Sequence, residues 1–205
     1  KTVSFVALNS VMGARLSYLF AEKRNEEAKA NIKLAMNVIL FFTIGSMFGI
    51  IAIASDFVPL FFGNGYEPVV GLLYLMAPLI VIIGISNCIG TQYYTPIGKT
   101  RMASLYMLLG SGVNLILNLL FIPWMGSKGA VIGSIGAETV ITVLFEHFNE
   151  GYITWKYILS SSYKKIIAGL LMLLIIHIMS KNIAVSGIMQ VSLQVLCGII
   201  VYLVV

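Results

Sequence analysis

Six apolar runs, each long enough or nearly long enough to cross a bilayer, occupy most of this chain: Leu34–Ser55, Pro68–Thr95, Met102–Met125, Gly129–Phe145, Ile166–Ser180 and Asn182–Val205. A helix rises about 1.5 Å per residue, so roughly 20 apolar residues cover the hydrocarbon core. A seventh run, Thr2–Ala14, reads as a span truncated at its start. Apolar residues make up 59% of the chain and charged residues only 10%, with a mean hydropathy of +0.97. A soluble domain of 205 residues has too little interior to hide that much apolar surface. With lipid as solvent, the backbone must satisfy its own hydrogen bonds, which leaves helices or a closed barrel. Barrel strands alternate apolar with polar residues, whereas these runs are apolar on consecutive positions. The expected class is therefore all-α, a polytopic transmembrane helix bundle of six full spans and one truncated span.

The net charge of +5 does not indicate a nucleic-acid partner, because the basic residues sit in the short gaps between spans. Arg15, Lys23, Arg24, Lys29 and Lys33 share the first gap, Lys99 and Arg101 the third, and Lys156, Lys164 and Lys165 the fifth. The intervening gaps contain only Lys128 and Lys181, and the gap around Asp56 and Glu67 contains none. The positive-inside rule puts the rich gaps in the cytoplasm. Residues 15–33 are then a charged cytoplasmic connector, and residues 146–165 a cytoplasmic interfacial segment with Trp155 and Tyr157 at headgroup level. Cys88 and Cys197 fall inside apolar runs and read as small apolar residues, not as a disulfide or metal framework. The sequence begins with Lys1 and stops within an apolar run, as expected of a piece of a larger transporter, here a single transmembrane lobe over residues 1–205.

Candidate functional residues are the polar ones within spans, where ionisable groups are costly and mark function by default. Glu138 reads as the acid deepest in a span. Four-residue steps through it give Ala130, Ser134, Glu138 and Thr142, and the preceding span offers Tyr106, Gly110, Asn114 and Asn118. Counting from the hairpin between these spans puts Asn114 and Glu138 at one depth, where they could hydrogen-bond. The two stripes are open to two readings: interhelical glue or a hydrated path for substrate or protons. The last span carries Ser186, Gln190, Gln194 and Gly198 in the same register, which suits a lumen or a packed interface alike. Arg15 is either a topology anchor or an anion contact, since guanidinium pairs bidentately with phosphate; Lys99 and Arg101 carry the same choice. Pro78 is expected to kink its span, and Gly45 with Gly49 forms a small-residue packing motif. No phosphate-cradling loop, nucleophile elbow or metal-ligand cluster occurs, so neither a metal nor another cofactor is expected, nor an enzymatic activity.

An ordered series of short motifs carries a resemblance. It comprises Phe62-Gly63-Asn64-Gly65-Tyr66, the run from Leu79 ending in Ser86-Asn87-Cys88-Ile89-Gly90, Pro96-Ile97-Gly98-Lys99, Asn114-Leu115-Ile116-Leu117-Asn118, Ile122-Pro123 and Gly126-Ser127-Lys128-Gly129-Ala130. The series resembles the second half of polysaccharide-repeat (capsule or O-antigen) flippases of the Wzx type, in the MATE-like exporter superfamily, over Val11 to about Thr142. The resemblance implies a MATE-like lobe in the bacterial plasma membrane. Its cargo would be an undecaprenyl-diphosphate-linked oligosaccharide, moved between leaflets by alternating access, with polysaccharide polymerase and glycosyltransferases as partners. It implies a diphosphate contact at Arg15, where Gly13-Ala14-Arg15 keeps the family's arginine without the proline that often precedes it. It also implies that Asn114 and Glu138 line or brace the lobe. The rival readings are a cation-coupled small-molecule exporter with Glu138 as the coupling acid, a peptidoglycan-precursor flippase, a membrane-embedded glycosyltransferase or polymerase, and a non-transporting scaffold.

Overall fold

The computed structural model describes residues 3–182 and 187–204. The described residues form seven helices: α1 Val3–Ala21, α2 Asn25–Phe62, α3 Pro68–Ile89, α4 Thr100–Met125, α5 Ser127–His147, α6 Trp155–Asn182 and α7 Ile188–Val204. Five of them, α2 to α6, are long and apolar enough to cross a membrane, and α7 is a shorter apolar helix. The all-helical bundle expected from the runs is what forms. The helix ends differ from the run ends because a helix does not stop where its side chains become charged. α2 starts nine residues before the run at Leu34, taking in Glu26, Glu27, Lys29 and Lys33. It also continues past Ser55 through Asp56 and Pro59 to Phe62. α6 likewise begins at Trp155 and carries Lys164 and Lys165 on its third turn. Within residues 146–165 only the loop between α5 and α6 is non-helical.

Three of the consecutive pairs pack side by side: α2 with α3, α4 with α5 and α6 with α7. α4 packs on α5, α5 on α3, α3 on α2, and α2 on α6 and α7. α2 is thus the centre of the bundle and α4 its outer edge. The turns after α3 and α5 share one end with the α1–α2 connector, here called the basic end; the turns after α2 and α4 and the end of α6 lie at the far end.

Close approaches hold the row together. A methyl group on Gly129 would lie 2.4 Å from the Phe121 carbonyl oxygen, and one on Gly133 would lie 2.3 Å from Asn118 Oδ1. The α4–α5 hairpin is therefore packed backbone to backbone, as small residues permit in membranes. Gly169 of α6 receives the Phe48 ring of α2 in the same way. At the basic end, Phe20, Tyr93, Tyr94, Tyr106, Phe145 and Tyr152 make edge and tilted ring contacts at centroid distances of 4.9 to 6.2 Å. A π-helical turn over Gly90–Tyr94 delivers these tyrosines by closing α3 with an extra residue, which turns Gln92, Tyr93 and Tyr94 all inward. Pro78 stands exposed within α3, and the helix runs on past it to Ile89. The π-helical turn is a second irregularity in this span, twelve residues beyond the proline.

Candidate functional site

The polar residues within the spans fall into two groups. In the first, between α3, α4 and α5, each expected residue has a protein partner. Asn118 Nδ2 donates to Asn114 Oδ1 at 2.8 Å, one turn away on the same helix. Glu138 accepts from Ser86 Oγ of α3 at 3.3 Å. Thr142 Oγ1 lies 3.3 Å from the Ile82 carbonyl of α3 and donates to its own helix at Glu138 O, 2.7 Å away. The expected Asn114–Glu138 bond does not form. The depth is right: Ala137 and Ile141 lie against Gly110, and Gly133 against Asn118, which brackets Asn114 opposite Ala137. The rotation is wrong, because one residue further along a helix turns the side chain by about 100°. That step carries Glu138 off the α4 face and onto α3. The stripe Ser134, Glu138 and Thr142 stitches α5 to its own turns and to α3, the geometry of interhelical glue.

The second group lies where α2, α6 and α7 meet at the far end. Asp56, which follows the apolar run of α2, is half-buried inside the helix. Its Oδ2 accepts from Gln194 Nε2 at 2.5 Å and from Ser180 Oγ at 3.3 Å, and Gln190 Nε2 reaches Ser180 Oγ at 3.3 Å. Gln194 is fully buried, and its Oε1 has no donor among the described residues. The expected residues Gln190 and Gln194 are thus brought together around Asp56, an acid that follows the apolar run of α2 in sequence. The signal for it was indirect: a glutamine deep in the α7 run requires a partner, and Asp56 is the acid at that depth on the neighbouring span. Ser186 lies outside the described residues. The oxygens of Asp56, Ser180 and Gln194 are hard donors of the kind small hard cations accept. A cavity of about 10 Å³ lined by Ser180, Gln190 and Gln194 is about large enough for one water-sized particle.

From this cluster an apolar groove of about 550 Å³ runs along α2 and α7 towards the basic end, lined by Ile53, Gly49, Gly45 and Phe41 on one side and Gly198 and Tyr202 on the other. Gly45 lies beneath the Tyr202 ring, whereas Gly49 faces open space. Only half of the expected small-residue pair therefore packs a helix; the other half floors the groove. Near the mouth of the groove, Lys165 Nζ is bound to Asn37 Oδ1 at 2.7 Å and to Ser161 O at 2.5 Å.

The remaining basic candidates are placed elsewhere. Arg15 is exposed on α1 and makes no ion pair among the described residues. Lys99 pairs with Glu150 across the two turns at the basic end, and this hydrogen bond holds the Glu150 carboxyl below the usual carboxylate range. No group of three or more metal-ligating His, Cys, Asp or Glu side chains occurs among the described residues.

Comparison with known proteins places this arrangement. No family model matches the chain. The lipopolysaccharide biosynthesis protein WzxC of Escherichia coli K12 is 25% identical over 171 residues, covering 80% of this chain and 32% of WzxC. The probable low-salt glycan biosynthesis flippase Agl15 of Haloferax volcanii is 19% identical over 196 residues, covering 96% of this chain and 41% of the relative. Among solved structures, the lipid II flippase MurJ in an inward closed conformation superposes with a TM-score of 0.73 at 22% identity, covering 96% of this chain and 41% of that one. The chain thus covers 32% to 41% of the length of these relatives, and its fold matches that of the superposed part of MurJ. Together the three likenesses bear out the resemblance to Wzx-type flippases of the MATE-like exporter superfamily.

Proposed function

We propose that the chain is one lobe, the C-terminal half, of a flippase that moves undecaprenyl-diphosphate-linked oligosaccharide repeat units across the bacterial plasma membrane for capsule or O-antigen synthesis. The observation that carries this reading is the α2–α7 groove: an apolar trough in a spanning bundle, with polar groups at both ends and an open side. A lipid-linked sugar presents that same alternation, a tail that stays in hydrocarbon and a head that needs polar surroundings. The names of the sequence relatives point to lipopolysaccharide synthesis and to glycan flipping. In this reading the basic end is cytoplasmic, the polymerase and glycosyltransferases act before and after translocation, and the second lobe supplies the opposite wall of the path. Arg15 contacts diphosphate from the connector side, Gln190 and Gln194 line the far end of the groove, and Asn114 with Asn118 brace the α4–α5 hairpin. Coupling to an ion falls to the two half-buried carboxylates, Glu138 and Asp56.

The likeness to MurJ supports a second reading, a peptidoglycan-precursor flippase, because the fold serves both cargos. The deciding experiment is made in cells lacking the full-length protein. Single undecaprenyl-linked repeat units should accumulate on the cytoplasmic leaflet, and the wild type should clear them while Arg15→Ala should not. Accumulation of peptidoglycan precursor instead would select the second reading, and normal export of both would sink the pair.

A further inference from the structure

We propose that Asp56, Ser180, Gln190 and Gln194 form a sodium site at the far end of the bundle, and that the bound ion clamps the start of α7 to α2. Any use of the ion to drive transport rests on the flippase reading; the site itself rests on the following geometry.

Asp56 stands inside α2, six positions before its end at Phe62, or about 9 Å along the axis. Among the described residues its carboxylate meets two neutral donors, Gln194 Nε2 at 2.5 Å and Ser180 Oγ at 3.3 Å. The ion pairs among those residues are Arg24–Glu27 and Lys99–Glu150, so no cation there balances Asp56. A half-buried carboxylate without a counterion is costly near a bilayer. Beside it, Gln194 is 0% exposed and its Oε1 has no donor among the described residues, although buried amide oxygens are nearly always paired. One cation answers both faults: it neutralises the carboxylate and gives the amide oxygen a partner. A water molecule would answer only the second.

The donor set and the space select the ion. A carboxylate, the Ser180 hydroxyl and the side-chain carbonyls of Gln190 and Gln194 are all oxygens, the ligands of hard cations. Gln190 is tied into the set by Nε2, which reaches Ser180 Oγ at 3.3 Å. No group of three or more metal-ligating His, Cys, Asp or Glu side chains occurs among the described residues, and Asp56 brings a single negative charge. A divalent ion would therefore leave a net charge between the helices, whereas a monovalent ion leaves none. The cavity lined by Ser180, Gln190 and Gln194 is about 10 Å³, room for one water-sized particle. A small cavity with few ligands favours the smaller of two like cations, here sodium over potassium.

The ligands come from α2, α6 and α7, and Gln190 and Gln194 occupy the first two turns of α7. At its other end α7 is fixed to α2 by Tyr202, whose hydroxyl donates to the Phe41 carbonyl at 2.8 Å and whose ring covers Gly45. Filling the Asp56 site fastens the second end, so the ion sets how far α7 can part from α2.

The test uses the full-length protein in phosphatidylcholine nanodiscs, with sodium chloride as the probe and potassium or choline chloride replacing it at constant ionic strength. Sodium should raise the unfolding temperature in a saturable way, as a ligand of the folded state does, and should slow amide exchange along α7; potassium and choline should do neither. Asp56→Asn should weaken the sodium response at least about tenfold, since a charge-assisted contact is lost, and Ser180→Ala about threefold. Sodium shifts no larger than those in potassium or choline would overturn the assignment, and so would a sodium response untouched by Asp56→Asn. If Asp56→Asn does not fold, Ser180→Ala and the wild type decide: unchanged sodium affinity in Ser180→Ala, or sodium protection confined to helices other than α2, α6 and α7, would overturn it. Asp56-dependent sodium binding in a protein that moves no repeat units would defeat the flippase reading and leave this site standing; sodium-driven transport indifferent to Asp56→Asn would keep the flippase reading and overturn the site.

Discussion

The α4–α5 hairpin and the α2–α6–α7 region treat polar residues in opposite ways. In the hairpin, glycines bring the backbones together and the polar side chains reach neighbours: Asn118 Nδ2 donates to Asn114, Glu138 accepts from Ser86 and Thr142 donates to backbone oxygens, while Asn118 Oδ1, pressed against Gly133 with no space beside it, is without a donor among the described residues. In the other region, the helices splay to leave a trough, and the polar groups at its ends remain incompletely matched. Among the described residues, Lys165 pairs with no carboxylate and Gln194 Oε1 has no donor. A polar residue inside a membrane bundle therefore marks function only when space and an unmet charge or hydrogen bond come with it. By that measure the bundle's working side is α2 with α7, and its scaffold is α4 with α5.

This contrast can be broken by substitution. The largest effect should come from Gly129→Val in the hairpin, because the added atoms collide with the Phe121 backbone; about 3 kcal/mol or more of overpacking is expected, read as loss of folded protein in thermal unfolding. Next is Gln194→Leu, which removes the short bond to Asp56 and leaves that carboxylate with Ser180 alone. The expected cost is about 1 to 3 kcal/mol, and a double-mutant cycle with Asp56→Asn should show the two positions to be coupled; additivity would mean that the cluster does not act as a unit. A smaller effect belongs to the Lys99–Glu150 pair. The folded carboxyl is held below its unfolded value of about 4.3, so the pair's contribution is present above that pH and is lost as pH falls through the folded value. The pair is exposed, so the contribution is within about 1 kcal/mol, and Lys99→Met should flatten the acid limb of the stability curve. The smallest is Gly49→Leu. It enters open space and should change the stability by no more than the roughly 0.5 kcal/mol expected of an unconstrained site, read from thermal unfolding; a large loss would show that the trough is packed shut.

The spans were legible because apolar runs of bilayer length have few other uses, and the depth of Asn114 against Glu138 was legible by counting from the hairpin. Rotation was not, because it is set by which glycine meets which backbone, and that is a tertiary fact. Asp56 was hidden by position: it follows the apolar run and precedes Pro59, where a loop is the usual reading, yet α2 continues because Gln194 and Ser180 meet the carboxylate there. For Lys165 the sequence shows a lysine's place in a gap but not that the acceptors holding its ammonium, Asn37 and Ser161, are neutral. Arg15, the anion contact implied by the resemblance, lies exposed on α1 and makes no ion pair among the described residues.

The length of α2 has a mechanical consequence. Its 38 residues make a rod of about 57 Å, nearly twice the hydrocarbon thickness of about 30 Å, joining the charged connector to the Asp56 cluster without a break. Near its middle the rod is gripped on two sides, by Phe48 seated in Gly169 and by Thr43 seated against Gly84. A stiff rod held at its waist is a lever: a push on the connector in one direction swings the Asp56 end in the other. Whatever covers the connector in the whole protein therefore has a handle on the opposite face of the membrane.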